Sequence, residues 1–277
     1  KGWQDFNCGR LSYDGHKGTD IALPSLTRMQ QEVLVFAAAP GTVLGWRDGM
    51  ADKMATPQMT FGGKDCGNGV TLGHAQGWQT QYCHMKKGSV AVRKGQPVKA
   101  GEVLGKIGLS GRTEFPHLHI SVRHNGKVID PFAPHRAVKE NNTCGKPQGN
   151  ALWSKTLPYR AGGLISLSFL DRVASFEKLR AGQAHRNELP RRAKAIVLHA
   201  YAFGGRKGDQ MSLSVNGPRG QILSDTILLN TLLAQFFQAL GRKRSWSGWP
   251  PGEYIGRVVM QREQTVLGDK TIAMQIR

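Results

Sequence analysis

Glycine and proline cut this chain into pieces too short for ordinary helices. The sequence holds 35 Gly and 13 Pro among 277 residues. Between them lie short runs rich in Val, Ile, Leu and Thr: AAAPGTVLGW, GNGVTLGH and GSVAVRKGQPVKAGEVLGKIG early on, then GGLISLSFL, AIVLHAYAFG, DQMSLSVNG and EYIGRVVMQR. Gly and Pro weaken helices, whereas branched and aromatic side chains pack well on a pleated surface, so this rhythm predicts strands joined by tight turns. The fold class expected is all-β. VTLGHAQGWQTQYCHM alternates apolar and polar residues on either side of Gly77 and reads as a hairpin. ILLNTLLAQFFQAL is continuously apolar and permits a strand pair or a short helix.

A chain of this length is expected to form two domains, each burying its own core. The stretch KENNTCGKPQGN, residues 139–150, is polar and carries Gly and Pro, the composition of a linker. The domains are accordingly placed at 1–140 and 151–277. The first reads as an antiparallel sheet closed by Val128–Pro131. The second, with turn residues at sandwich-like intervals, reads as a two-sheet β-sandwich. Trp246 and Trp249 in SWSGWPPGEY read as a packed corner before a strand rather than a platform for sugars.

The 38 Lys+Arg outnumber the 19 Asp+Glu, for a formal charge of +19. Such an excess predicts attraction to a polyanion: nucleic acid, an anionic lipid surface or a cell-wall polymer. No basic run is interleaved with aromatics and no zinc-finger motif occurs, which places nucleic acid below a wall or envelope surface. No stretch of about 20 apolar residues occurs, so no membrane span is expected. Lys1 in place of Met suggests a removed leader or a chosen boundary. The four cysteines contain no C-x-x-C pair, which fits two disulfides better than a zinc ribbon or a redox pair. Cys66–Cys83 closing a local excursion and Cys8–Cys144 tying the ends of the first domain are the favoured pairings.

Spacing selects among the nine histidines. In EFPHLHISV, His117 and His119 lie at i and i+2 of an apolar run, so both project from one face of a strand while Leu118 and Ile120 enter the other. His16 and Asp20, in YDGHKGTDIALP, are four residues apart in a segment with no helical pattern, and an even separation allows them onto one side. Two imidazoles and a carboxylate suit Zn²⁺, because three protein ligands leave a fourth tetrahedral position open, as in catalytic sites.

DGHKGTD, then QYCHM, then PHLH resembles the M23 family of peptidases, the lysostaphin and LytM-type group. Its pattern is H-x-x-x-D, a lone His after a Tyr, then H-x-H. GNGVTLGH, VAVRKGQPVKAGEVLGKIGLSG and GKVIDP match its usual phrasing, and the resemblance covers roughly residues 9–133. It implies a LytM-type antiparallel domain, zinc held by His16, Asp20 and His119, and His84 and His117 as catalytic groups beside the metal. It implies an endopeptidase of an extracytoplasmic compartment, periplasmic or secreted, acting on the cross-links or stem peptides of peptidoglycan. Both imidazoles suit proton transfer and charge stabilisation, and the sequence leaves open which does which. No H-E-x-x-H supplies a glutamate base.

Departures from the family occur at Phe115, where Gly is usual, and at Ile120 and Ser121, where an aromatic–Glu pair is usual. Phe115 adds bulk at the groove wall, and Cys83 beside His84 would pin the strand presenting that imidazole. His74, His124, His135, His185 and His199 are read as structural. WPPGEYIGRVVMQR resembles the closing hairpin of immunoglobulin-like accessory domains. The alternatives are a non-catalytic LytM-like regulator, which intact ligands oppose, and a polyanion-binding protein of the wall. The bond cut, Gly–Gly or D-Ala–diaminopimelate, stays open.

Overall fold

The computed structural model describes residues 4–134, 151–155 and 157–277. Two compact units divide the chain, Lys1–Pro158 and Tyr159–Arg277. Residues 151–158, read from composition as the start of the second domain, group with the first. The Leu152 N–H donates to the Pro131 carbonyl at 2.8 Å, and the Trp153 ring meets Phe132 with centroids 5.4 Å apart. The composition-based linker at 139–150 and Cys144 lie outside the described residues.

The first unit contains β1 (Thr19–Ala22), α1 (Leu26–Gln30), β2 (Leu34–Phe36), β3 (Gly41–Arg47), β4 (Asn68–Gly73), β5 (Trp78–Met85), β6 (Pro97–Val98), β7 (Val103–Lys106), β8 (His117–His124) and β9 (Lys127–Ile129). A seven-stranded sheet runs β1-β8-β5-β4-β3-β6, with β9 also paired to β8, and β2 and β7 form a separate pair. All these pairings are antiparallel. The expected hairpin is β4–β5, turning through Ala75–Gly77. Its inward residues Val70, Leu72 and Tyr82 join Val35, Leu104, Leu118 and Ile120 in one core. Leu118 and Ile120 thus take the apolar side of β8, as the H-x-H alternation requires, and His117 and His119 take the other face.

The second unit contains β10 (Gly163–Leu170), α2 (Phe176–Ala181), β11 (Glu188–Leu189), β12 (Ala195–Gly205), β13 (Gln210–Gly217), β14 (Gly220–Leu228), β15 (Leu233–Lys243), β16 (Gly252–Arg262) and β17 (Thr265–Ile276). The ambiguous apolar stretch resolves as strands β14 and β15. Three strands, β10-β12-β15, form one sheet and five, β11-β17-β16-β13-β14, another, and among the described residues only the β11–β17 pairing is parallel. Alternate residues of both sheets, among them Phe169, Ile196, Leu198, Met211, Leu213, Tyr254, Val258 and Met274, share one core. The two tryptophans part ways. Trp249 is buried and its indole N–H donates to the Ala193 carbonyl at 3.0 Å, whereas Trp246 stands fully exposed, contrary to the packed corner expected of both.

Candidate metal centre

Strand register assembles the cluster. In the β1–β8 pairing Asp20 lies directly opposite His119 and Ala22 opposite His117, while in the β5–β8 pairing Cys83 faces His119, with His84 next in the chain. His16 precedes β1 and is turned back by its own N–H, which donates to the Tyr13 carbonyl at 3.1 Å. Gly18 makes this return feasible: a Cβ there would come within 2.6 Å of the His119 ring nitrogen Nε2.

The donor atoms converge. Asp20 Oδ1 lies 3.0 Å from His16 Nε2, 2.8 Å from His119 Nδ1 and 3.4 Å from His117 Nε2. His16 Nε2 and His119 Nδ1 are 3.2 Å apart. His16, Asp20 and His119 are the group among the described residues whose ligand atoms all lie close enough together, within 4.8 Å, to hold one metal ion. Their side chains keep 11%, 19% and 15% exposure, so the cluster opens to solvent while His84 and His117 lie deeper.

Neighbouring groups fix the tautomers. His84 Nδ1 donates to the Ser110 carbonyl at 2.8 Å and His117 Nδ1 to the Phe115 carbonyl at 2.9 Å, so each ring turns its Nε2 away from these anchors. Thr113 Oγ1 is also 3.1 Å from His117 Nδ1, and the Phe115 ring stacks on the His117 ring with centroids 4.4 Å apart. Phe115 therefore packs against the second imidazole itself. Ser121 Oγ donates to the Lys17 carbonyl at 2.7 Å, which leaves it to accept from His119 Nε2 at 3.1 Å. The other ring nitrogen, Nδ1, then faces the carboxylate oxygen of Asp20 at 2.8 Å. Two imidazole nitrogens and a carboxylate oxygen brought this close together form a donor set that fits a metal ion.

Electrostatics follow the same geometry. Burial alone would raise the Asp20 carboxyl, but the imidazoles of His117, His119 and His16 outweigh it and hold the group well below the usual carboxylate range. Burial first, then the neighbouring His117, push the His84 imidazole down to about 4. Its backbone is also unusual: φ is +61°, a left-handed conformation costly for a side-chain-bearing residue. The surroundings hold it there. The His84 N–H donates to the Cys66 carbonyl at 2.8 Å, the His84 carbonyl accepts from Gly108 at 2.9 Å, and Cys66 is bonded to Cys83 with their Cα atoms 4.8 Å apart.

All five sequence-selected residues, His16, Asp20, His84, His117 and His119, thus meet at one place. The remaining described histidines do not. His74 bridges the Pro40 carbonyl and Thr80 Oγ1, His124 stacks on Trp78, His185 accepts from the Phe169 N–H and His199 from the Ala174 N–H. His135 lies outside the described residues. Sequence reasoning missed Ser121, whose part in holding His119 depends on a contact across to Lys17.

Comparison with known proteins addresses the same segment. Residues 14–131 match peptidase family M23. This segment is similar to the M23 peptidases. The DD-carboxypeptidase/endopeptidase Mpg of Neisseria meningitidis is 38% identical over 120 residues, 43% of this chain and 22% of that protein. The peptidoglycan DD-endopeptidase ShyA of Vibrio cholerae is 30% identical over 115 residues, 42% of this chain and 22% of that protein. The matches thus span about a fifth of the length of these curated relatives. The crystal structure of a putative peptidase M23 from Pseudomonas aeruginosa is 31% identical, with a TM-score of 0.32 and 43% of each chain covered. Among the described residues no helix is long and apolar enough to cross a membrane.

Proposed function

We propose that this chain is a zinc-dependent endopeptidase of the bacterial envelope that hydrolyses peptide bonds of peptidoglycan, with His16, Asp20 and His119 as metal ligands and His84 and His117 as catalytic groups. The observation carrying the reading is the convergence of three ligand atoms, with His119 Nδ1 2.8 Å from the Asp20 carboxylate and His16 Nε2 beside both. When bound there, zinc would act as a Lewis acid towards the scissile carbonyl and lower the pKa of a bound water. The protein's own part is orientation and proton handling. Ser121 fixes the ring of His119, and Gly18 lets the His16 segment close over it. His84 and His117, anchored through Nδ1, offer Nε2 to take a proton from the attacking water or pass one to the departing amine.

The match of residues 14–131 to peptidase family M23 and the activities for which Mpg and ShyA are named support the substrate class. The work is placed in an extracytoplasmic compartment, periplasmic or secreted, and the +19 charge would favour residence on anionic envelope polymers. The second unit is assigned as an immunoglobulin-like β-sandwich accessory domain, on the strength of its two sheets sharing one core. Digestion of purified peptidoglycans with different cross-bridges, followed by mass spectrometry of the fragments, tests the reading. Wild type should release peptides and His117→Ala should not; an unchanged digest in the variant would remove His117 from the mechanism.

A further inference from the structure

Two segments of the second unit meet to form a basic surface that the peptidase reading does not use. The turn Arg191–Lys194 and the connection between β15 and β16 are tied together: the Arg244 N–H donates to the Lys194 carbonyl at 2.9 Å and the Trp249 N–H to the Arg191 carbonyl at 3.0 Å. Arg191, Arg192, Lys194, Lys243 and Arg244 are all exposed, and neither segment contains an acidic residue. The nearest carboxylates along the chain are Glu188 and Glu253, and Glu188 is engaged by Arg277 at 2.8 Å.

At the apex of this connection stands Trp246, with 101% relative exposure. The loop beneath it is built. Ser245 Oγ and Ser247 Oγ are 3.2 Å apart, the Gly248 N–H donates to the Ser245 carbonyl at 3.1 Å, and Gly248 takes a φ of +78°. Trp249 then plugs into the core and holds the loop's foot through the Ala193 carbonyl. An indole so placed leaves a large apolar surface in water, with exposed Lys243 and Arg244 just before it in the chain and the Arg191–Lys194 turn tied to the same connection.

We propose that this loop is a docking surface for an anionic phospholipid bilayer, with Trp246 entering the headgroup region and the flanking cations meeting lipid phosphates. Charge complementarity selects an anionic partner, and a cluster of this size suits acidic lipid headgroups. The indole selects the bilayer over a polymer strand. It combines an apolar body with an N–H and favours the interface between hydrocarbon and water, whereas cations alone would serve for a linear polyanion. The surface is independent of the metal centre, so its fate does not hang on the peptidase reading.

Sedimentation of the full chain with phosphatidylcholine vesicles, with and without phosphatidylglycerol, tests the proposal. Binding should require phosphatidylglycerol and weaken with salt. Trp246→Ala should lower it several-fold, and Lys243→Glu with Arg244→Glu by at least about twentyfold, since each cation near such a surface contributes about fivefold. Quenching of tryptophan emission by brominated lipid should vanish in Trp246→Ala. Both variants alter exposed side chains only, and unchanged thermal unfolding would verify that they fold. Equal binding to neutral vesicles, or undiminished binding by Trp246→Ala, would overturn the proposal. So would retention on poly-glutamate that matches retention on the acidic vesicles and ignores Trp246, which would mark a general polyanion surface.

Discussion

His119 and His199 both sit in the middle of antiparallel sheets, one in each unit, yet their rings are used in opposite ways. His119 spends its Nε2 proton on Ser121 and turns the other nitrogen towards Asp20 and His16. His199, fully buried, accepts the Ala174 N–H at Nε2, 3.0 Å away, and so ties the β10–α2 connection to β12. An imidazole is placed to act as a ligand when its far nitrogen is occupied as a donor and its near nitrogen shares space with other donors. It becomes a structural bolt when the near nitrogen is consumed by one backbone N–H. The strand grammar of the two units is alike, and the difference lies in partners.

Removing the convergence should have the largest effect. Asp20→Asn or His119→Ala is expected to abolish stoichiometric zinc and to reduce peptidoglycan digestion by several orders of magnitude, read by elemental analysis beside a digestion assay. Chelation of wild type should do the same and be reversed by added zinc. His84→Ala and His117→Ala should retain the metal and lose about 10²–10⁴-fold in turnover, the range of a positioned proton carrier. Loss of zinc in either would redraw the ligand set. Ser121→Ala should weaken zinc about 10–100-fold in chelator competition, through loss of the hydrogen bond that fixes the His119 ring. Unaltered affinity would dissolve the distinction drawn between His119 and His199.

The smallest effect concerns the other side of the comparison. Burial lowers the His199 pKa, with the Ser168 and Val197 backbone opposing. As pH falls, the unfolded chain binds a proton before the folded chain does, so stability present near neutrality is lost progressively below about 6.5, the ordinary histidine value. Thermal unfolding of the second unit between neutral and mildly acid pH should show the decline, and His199→Leu should flatten it while lowering stability throughout by leaving the Ala174 N–H unpaired, at a cost of about 1–3 kcal/mol.

Much of this was legible in the sequence because its signals are local. The H-x-H alternation placed two imidazoles on one face of β8, and Gly-bounded apolar runs gave β4, β5, β10, β12, β13 and β16. What stayed hidden depends on contacts distant in the chain. Ser121 acquires its part only because Lys17 takes its proton. Trp246 and Trp249 stand in one short stretch of sequence, and only the fold shows that Trp249 enters the core and Trp246 does not. Polar, Gly- and Pro-containing text marked a boundary several residues early, since the packing of Trp153 on Phe132 leaves no trace in local composition.

The Cys66–Cys83 bond carries a consequence for when the site is completed. Cys66 supplies the carbonyl that accepts the His84 N–H, and Cys83 is the residue before it, so the covalent tie spans the place where the backbone is held left-handed. Disulfides persist in oxidising compartments and are kept reduced in the cytosol. A chain synthesised in a reducing cytosol would therefore carry its ligands from the start but gain this clamp only after oxidation. The last element to be installed is then the one that holds the His84 imidazole in place, which makes full assembly of the candidate site a late event in the life of the polypeptide.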